Sequence, residues 1–393
     1  MSGIDDLHGM GDSRGRASTQ GPVLVVGTGL LGTSLALALT AAGVEVQLSD
    51  TSPTSLALAR DMGAGRPRQD GDPQPRIVVV ATPPDVAAAV VLRALEEHPS
   101  AVVTDVASVK NRVAAEVRAH AGSGVSRYVG SHPMAGRERS GAVAADSDLF
   151  AGRPWVIVGE GADPDAELAI RNLAVDAGAT PVRMGAAEHD QAVAAVSHMP
   201  QLVSSLVAAR LEGLGEPALS LAGQGLRDVT RIAASDARLW SAIVVGNAGP
   251  VAELLRELRE DLDALLAGIE PAALDPDSPE YAASGRAETI APGAVGAITD
   301  VMIRGHAGQA RIPGKHGGAP RRYAEVQVLV PDSAGQLGRL FGDIGQAGVS
   351  VEDFALEHSA GQSAGIAMVS VLPAAAQGLE EALDAKGWRV VGS

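Results

Sequence analysis

The segment Gly27-Thr28-Gly29-Leu30-Leu31-Gly32 constrains this chain more than any other. It joins a short apolar run, Pro22–Val26, to an apolar run of helix length, Leu30–Ala42, with Gly43 placed as its C-cap. A strand that ends in G-x-G-x-x-G and opens a helix is the context of a dinucleotide site. Gly27 allows the tight turn, Gly29 lets the backbone approach a pyrophosphate, and Gly32 lets helix and strand pack closely. The helix N-terminus offers free N–H groups and the positive end of its dipole. The candidate cradle is therefore Gly27, Thr28, Gly29, Leu30, Leu31 and Gly32. The next strand, Val44–Ser49, closes at Asp50, 18 residues after Gly32, where a carboxylate can accept from ribose hydroxyls. Thr51, Ser52 and Pro53 follow it with no arginine, so a 2′-phosphate would meet negative charge, which favours NAD over NADP.

The rest of residues 22–184 repeats the pattern. Arg76–Ala81, Ala101–Thr104, Arg127–Ser131, Trp155–Val158 and Thr180–Met184 read as strands, and Ala64–Pro75 as a loop. Solid apolar strands separated by helices indicate an α/β, doubly wound parallel sheet covered on both faces. From Ala186 to about Arg304 helical patterns take over, including Ala186–Arg210 and Trp240–Ile269. Arg304–Arg322 has the composition of a solvated linker, although its basic residues also suit a phosphate. The final segment restarts with strands at Tyr323–Val330, Ser350–His358, Ile366–Leu372 and Trp388–Val391 and helices at Gly335–Gln346 and Ala374–Lys386, a βαββαβ order of ferredoxin-like type. The expected division is a disordered tail (1–20), a nucleotide domain (21–185), a helical domain (186–304), a linker (305–321) and a C-terminal domain (322–393).

Composition removes several classes. With no cysteine among 393 residues, a disulfide scaffold, a thiol nucleophile and a thiolate metal site are excluded. A net charge of -16 is unsuited to nucleic acid or an anionic membrane. No uninterrupted apolar run approaches the ~20 residues of a membrane span, and the polar stretch Met1–Gln20 lacks the apolar core of a signal peptide. The expectation is a cytoplasmic protein.

Chemistry-bearing residues cluster at predicted strand ends. Gly130-Ser131-His132-Pro133-Met134-Ala135-Gly136 ends the fifth strand, where open parallel sheets hold their ligands. An imidazole there can take a proton from a hydroxyl as the adjoining carbon is oxidised. Ser108, in Thr104-Asp105-Val106-Ala107-Ser108-Val109-Lys110, lies near the same rim, as a partner of His132 or of substrate, or as a helix N-cap. Lys110 has no role legible from sequence. Ser197-His198-Met199-Pro200-Gln201 interrupts a helix, which Pro200 should distort. Ser197 and Gln201 share a face. His189 and His198, nine apart, fall on nearly opposite faces of a regular helix and are not expected in one site; no metal site is expected from them. Arg227 and Arg231 are equally suited to solvent and to a carboxylate.

Taken together, GTGLLGTS, VASVK, SHPMAGRERSG, SHMPQLV, DVTRIAASD and the terminal βαββαβ unit resemble the prephenate dehydrogenase family of tyrosine biosynthesis, which includes arogenate dehydrogenases. The resemblance spans about residues 22–393. It implies NAD-dependent oxidative decarboxylation of prephenate to 4-hydroxyphenylpyruvate, with hydride passing to NAD and no metal. It implies that His132 bonds the ring hydroxyl, that Ser108 assists it, and that Arg231 binds a substrate carboxylate. Ser197 and His198 match the substrate-side segment. Glu138 matches a polar residue that gates or positions the site, and Trp240 an aromatic that can reach the neighbouring subunit's pocket. Many relatives carry histidine where this chain has Gln201, which keeps a donor and an acceptor but no positive charge, so the choice between prephenate and arogenate stays open. The C-terminal segment resembles an ACT domain, carried by Pro331-Asp332-Ser333-Ala334-Gly335-Gln336-Leu337. It implies an amino-acid effector such as tyrosine, and the helical domain implies a homodimer.

Two other readings are weaker. A β-hydroxyacid dehydrogenase would carry a catalytic lysine in its helical domain, and none occurs between Ala186 and Arg304. A non-catalytic sensor of NAD and an amino acid leaves Ser108, His132 and Arg231 unexplained.

Overall fold

The computed structural model of the protein describes residues 17–136, 141–273, 292–313, 323–357 and 363–391. Contacts group the chain into two compact units, residues 1–212 with 230–256 and residues 213–229 with 257–393. This grouping differs from the division read from sequence, because the helix Ala186–Val193 packs on Asn111–His120 and Ala237–Gly246 on Pro84–Glu97.

The first unit has strands β1 (Val23–Val26), β2 (Val46–Ser49), β3 (Arg66–Pro67), β4 (Ile77–Val80), β5 (Val102–Asp105), β6 (Tyr128–Pro133), β7 (Pro154–Val158) and β8 (Thr180–Arg183). They form one eight-stranded sheet in the order β3-β2-β1-β4-β5-β6-β7-β8. Side chains alternate across it. Val23, Val25, Ile77 and Val79 pack under helices α1 (Leu30–Ala41), α2 (Pro53–Asp61) and α5 (Pro164–Asp176). Leu24, Val78, Val80 and Val103 pack under α3 (Pro84–Glu97) and α4 (Asn111–His120). Both faces are covered, so the strands read as unbroken apolar runs.

Two details depart from the expected sheet. The stretch read as a loop contributes the two-residue edge strand β3, paired to β2 through Gln47↔Arg66 and Leu48↔Pro67. Proline is tolerated there because the outer side of an edge strand needs no partner. Strand β7 runs antiparallel to β6. A parallel return requires a long crossover, and between these strands the described residues hold only the short turn Ala142–Ala144. The expected tail also ends sooner: the backbone N–H of Thr19 donates to Asp176 at 2.6 Å.

After β8 the chain runs through α6 (Ala186–Val193), a π-helical turn (Ala194–His198) and α7 (Met199–Ala209). Pro200 explains the turn, since it has no N–H for the helical ladder. The continuous run Ala186–Ala209 is long and apolar enough, by length and composition, to cross a membrane, although no single apolar run in the sequence suggested a span. Its His189, Asp190 and His198 are buried and committed to the contacts described below. The predicted helix Trp240–Ile269 breaks at Asn247 into Ala237–Gly246 and Ala248–Ile269.

In the second unit, β9 (Ala324–Pro331), β10 (Asp353–Glu357), β11 (Ala364–Val371) and β12 (Arg389–Val391) form a four-stranded sheet in the order β10-β11-β9-β12. All its pairings are antiparallel. Val326, Val328, Val369 and Val371 meet Leu340, Ile344, Leu379 and Leu383 from the helices Gln336–Gln346 and Pro373–Ala385. Residues 305–309, expected in the linker, belong to the helix Pro292–Gln309, whose Arg304 pairs with Asp300 and Asp261, each at 2.9 Å.

Candidate active site

The first unit holds a cavity of about 890 Å³ at the carboxyl ends of its strands. Gly29, Leu30, Leu31, Thr82, Ser108, His132, Ser197, His198, Arg238 and Trp240 all line it. The volume suits a dinucleotide's reacting half with a small substrate.

The glycine loop has the shape expected of it. Gly27 has φ +101°, and a Cβ there would lie 2.5 Å from the Ala81 carbonyl oxygen. A Cβ on Gly32 would lie 1.9 Å from the Gly27 carbonyl oxygen, so only glycine fits where α1 leaves β1. A Cβ on Gly29 would meet nothing within 4 Å. The backbone at Gly29 thus faces open space at a helix N-terminus. The Thr82 hydroxyl, on the wall of the same cavity, is buried with no hydrogen-bond partner among the described residues. An open glycine cradle and an orphaned hydroxyl fit a bound dinucleotide. Asp50 accepts from the Thr28 N–H at 2.6 Å, the Thr28 hydroxyl at 2.7 Å and the Ser52 N–H at 2.7 Å. It therefore fixes the loop itself as well as standing where a ribose would lie.

His132, on β6, is 8% exposed. Its Nδ1 lies 2.9 Å from His189 Nε2, and His189 Nδ1 lies 2.7 Å from Asp190 Oδ1. The His132 and His189 rings meet edge to face, centroids 5.1 Å apart. Asp190 also accepts from the N–H groups of Lys110 (2.8 Å) and Asn111 (2.9 Å), so it caps α4 from another helix. Asn247 Nδ2 donates to the Asp190 carbonyl at 2.7 Å and lies 3.1 Å from His198 Nδ1. The Trp240 ring packs edge-on against His198 at 6.0 Å.

His189 and His198 therefore do serve one site, contrary to the helical-wheel expectation. The π turn carries an extra residue per loop, which removes about 100° of rotation between them relative to a regular helix. Sequence spacing alone cannot show that slip.

Lys110, unassigned from sequence, is fully buried and ion-paired with Asp105. Its Nζ also donates to the Ser131 carbonyl at 2.8 Å, and Tyr128 Oη donates to Asp105 Oδ2 at 2.7 Å. This network underlies the end of β6 and holds the backbone beside His132. The cap of α4 is Lys110, so Ser108 is not its N-cap. Ser108 lines the cavity, but it is His189 that holds His132 Nδ1.

Burial pushes the His132 imidazole well below its ordinary range, and His189, Lys110 and His198 push the same way. Burial lowers His198 to about 4, with His189 adding to the shift and Asp190 opposing it. Both rings are neutral at pH 7. In an unfolded chain they titrate near ~6.5. Between that value and about 4 the unfolded state binds more protons, so stability present at neutral pH is lost as pH falls. Denaturant midpoints are expected to drop from pH 7 to pH 5, and His198→Gln should reduce the drop. An equal drop in the variant would assign it to other groups.

Two residues expected on the substrate side lie outside the cavity's lining. Gln201 is buried, with its Nε2 donating to the Ile232 carbonyl at 2.8 Å, and it is not among the cavity's lining residues. Arg231 is exposed on the turn Arg231–Ala234 that Gln201 holds, and is also outside the lining. Arg238, unnoticed in the sequence, is the only Lys or Arg among the described lining residues. Glu138 lies outside the described residues. Trp240 packs on this chain's own His198.

Comparison with known proteins identifies the family. Residues 35–181 match the family described as prephenate dehydrogenase, nucleotide-binding domain, and residues 185–280 match prephenate dehydrogenase, dimerization domain. The chain belongs to the prephenate dehydrogenase family. A probable prephenate dehydrogenase, NovF of Streptomyces niveus, is 34% identical over 93% of this chain and 98% of its own length. Among solved structures, prephenate dehydrogenase from A. aeolicus in complex with hydroxyphenyl propionate and NAD+ is 25% identical with a TM-score of 0.59, covering 72% of this chain and 97% of that one. Synechocystis arogenate dehydrogenase is 28% identical with a TM-score of 0.53, covering 63% and 92%.

Proposed function

We propose that the protein oxidises prephenate with NAD, giving 4-hydroxyphenylpyruvate, CO₂ and NADH. The observation that carries this reading is a neutral, buried imidazole on the wall of the cavity that the glycine cradle opens into. Bound NAD supplies the two-electron acceptor. Gly29 and the first turn of α1 would hold its pyrophosphate, and Asp50 would meet its ribose. His132 accepts the proton of the ring hydroxyl as that carbon gains carbonyl character. Loss of the ring carboxylate as CO₂ then restores aromaticity, which drives the reaction without a nucleophile from the chain. Ser108, Ser197, His198 and Trp240 surround the substrate. A substrate with two carboxylates requires cations, and Arg238 supplies one on the wall. Arg231 remains a candidate for the second, on a turn that Gln201 positions.

Arogenate is the second reading, supported by the likeness to an arogenate dehydrogenase and by a neutral Gln201. One assay decides the substrate: NADH production and CO₂ release with prephenate and with arogenate, each with and without tyrosine. Turnover of prephenate in clear preference supports the first reading, and silence with both substrates would overturn it.

The antiparallel four-stranded sheet with two helices on one face supports reading residues 323–391 as an ACT-type unit. Tyrosine or another amino acid is its proposed effector. A homodimer is supported by the dimerization-domain match and by Leu258, Leu262, Leu266 and Ile269. These residues form an exposed stripe on the helix Ala248–Ile269. The proposed location is cytoplasmic.

A further inference from the structure

We infer that Asp190, with Asn247, sets opposite tautomers on the two cavity imidazoles, leaving His132 Nε2 as a bare acceptor and His198 Nε2 as an N–H donor. The catalytic meaning of this arrangement rests on the function proposed above; the tautomers themselves do not.

The assignment follows from which groups can donate. A carboxylate only accepts, and three N–H groups converge on Asp190, from Lys110, Asn111 and His189. With a single proton on the His189 ring, the contact to the carboxylate places it on Nδ1, and Nε2 is an acceptor. His132 Nδ1, 2.9 Å away, must then be the donor. The proton of neutral His132 is spent inward, and its Nε2 carries a lone pair.

The second branch starts from the same residue's main chain. The Asp190 carbonyl can only accept, which orients the Asn247 amide with Nδ2 toward it. The remaining Nδ2 hydrogen points to His198 Nδ1 at 3.1 Å, which must accept. The proton of neutral His198 is on Nε2.

The two rings therefore present complementary polarity to one cavity. A hydroxyl that must lose its proton meets an acceptor, and an anionic oxygen of the substrate meets a donor. A free imidazole favours neither pattern strongly, so the supporting residues set the pattern before substrate arrives. His189, Asp190 and Asn247 act as positioning residues.

The direct test is ¹⁵N imidazole NMR of the full-length, ligand-free protein at pH 7, with resonances assigned by their loss in His132→Asn and His198→Gln. The expected result is a protonated Nδ1 with bare Nε2 for His132 and the reverse for His198. A protonated Nε2 on His132, a protonated Nδ1 on His198, or an imidazolium at His189 would overturn the inference. A kinetic test separates positioning from packing. His189→Gln keeps an acceptor for His132 Nδ1–H and should hold kcat within ~10-fold, whereas His189→Phe keeps the ring volume and should lose ~10²-fold, the lower range of general-base loss. Equal or better activity in the phenylalanine variant would show that His189 only packs. If the phenylalanine variant fails to fold, NMR of the native protein still decides. If neither prephenate nor arogenate is oxidised, the function proposed above fails while the tautomers remain testable.

Discussion

Replacing His132 with asparagine is expected to lower kcat with prephenate by ~10²–10⁴, the range for loss of a general base, while NAD binds as before. The side chain sits in the cavity wall on β6, a different strand from the one whose glycine loop would hold the cofactor. Asparagine is smaller and its amide N–H can still donate toward His189, so β6 and the Lys110–Asp105 pair beneath it are kept. A merely structural histidine would give a variant of lowered stability and near-normal turnover. The check is therefore steady-state turnover beside NAD titration and a thermal melt. Unchanged kcat would remove His132 from the chemistry and with it the proposed mechanism.

The second large effect separates two glycines of one motif. Gly32→Ala forces a Cβ to 1.9 Å from the Gly27 carbonyl oxygen and 3.0 Å from Ala81 Cβ. Helix α1 must move off the sheet, at a cost of about 1–3 kcal/mol or more, as for an overpacked core. A fall in Tm of several degrees is expected, with NAD binding lost as the cradle shifts. Gly29→Ala adds a Cβ that meets nothing within 4 Å, so Tm should stay near that of the parent. The methyl group instead occupies space the pyrophosphate needs. An overpacking cost of about 1–3 kcal/mol there corresponds to a rise in NAD Kd of ~5–150-fold. Thermal melts with and without NAD would read both. Normal NAD affinity in the Gly29 variant would place the pyrophosphate elsewhere.

The sequence carried most of the fold because its signals are local and agree with one another. Apolar runs of four to eight residues, glycines at turns and a βαββαβ order each follow from short-range pattern. Where the sheet departed from expectation, a non-local fact decided it. Strand β7 is antiparallel because the chain between it and β6 offers no crossover helix among its described residues. Strand β3 exists because a Gly- and Pro-rich segment lies beside β2, whose partner it becomes.

For the site, sequence by itself determined which residue types stand at the strand ends: the glycine cradle, Asp50, Ser108 and His132. Their positions follow from the rule that open α/β sheets bind ligands at carboxyl ends. Only tertiary structure decided what supports them. A π turn forced by Pro200 brings His198 round toward the partner of His132, and Asp190 reaches from α6 to cap α4. Gln201 is drawn inward to a carbonyl, and Arg238 lines the wall. The physical reason is that a motif fixes a residue's place along its own element, whereas hydrogen-bond partners are set by elements tens of residues apart, whose approach no spacing in one sequence records.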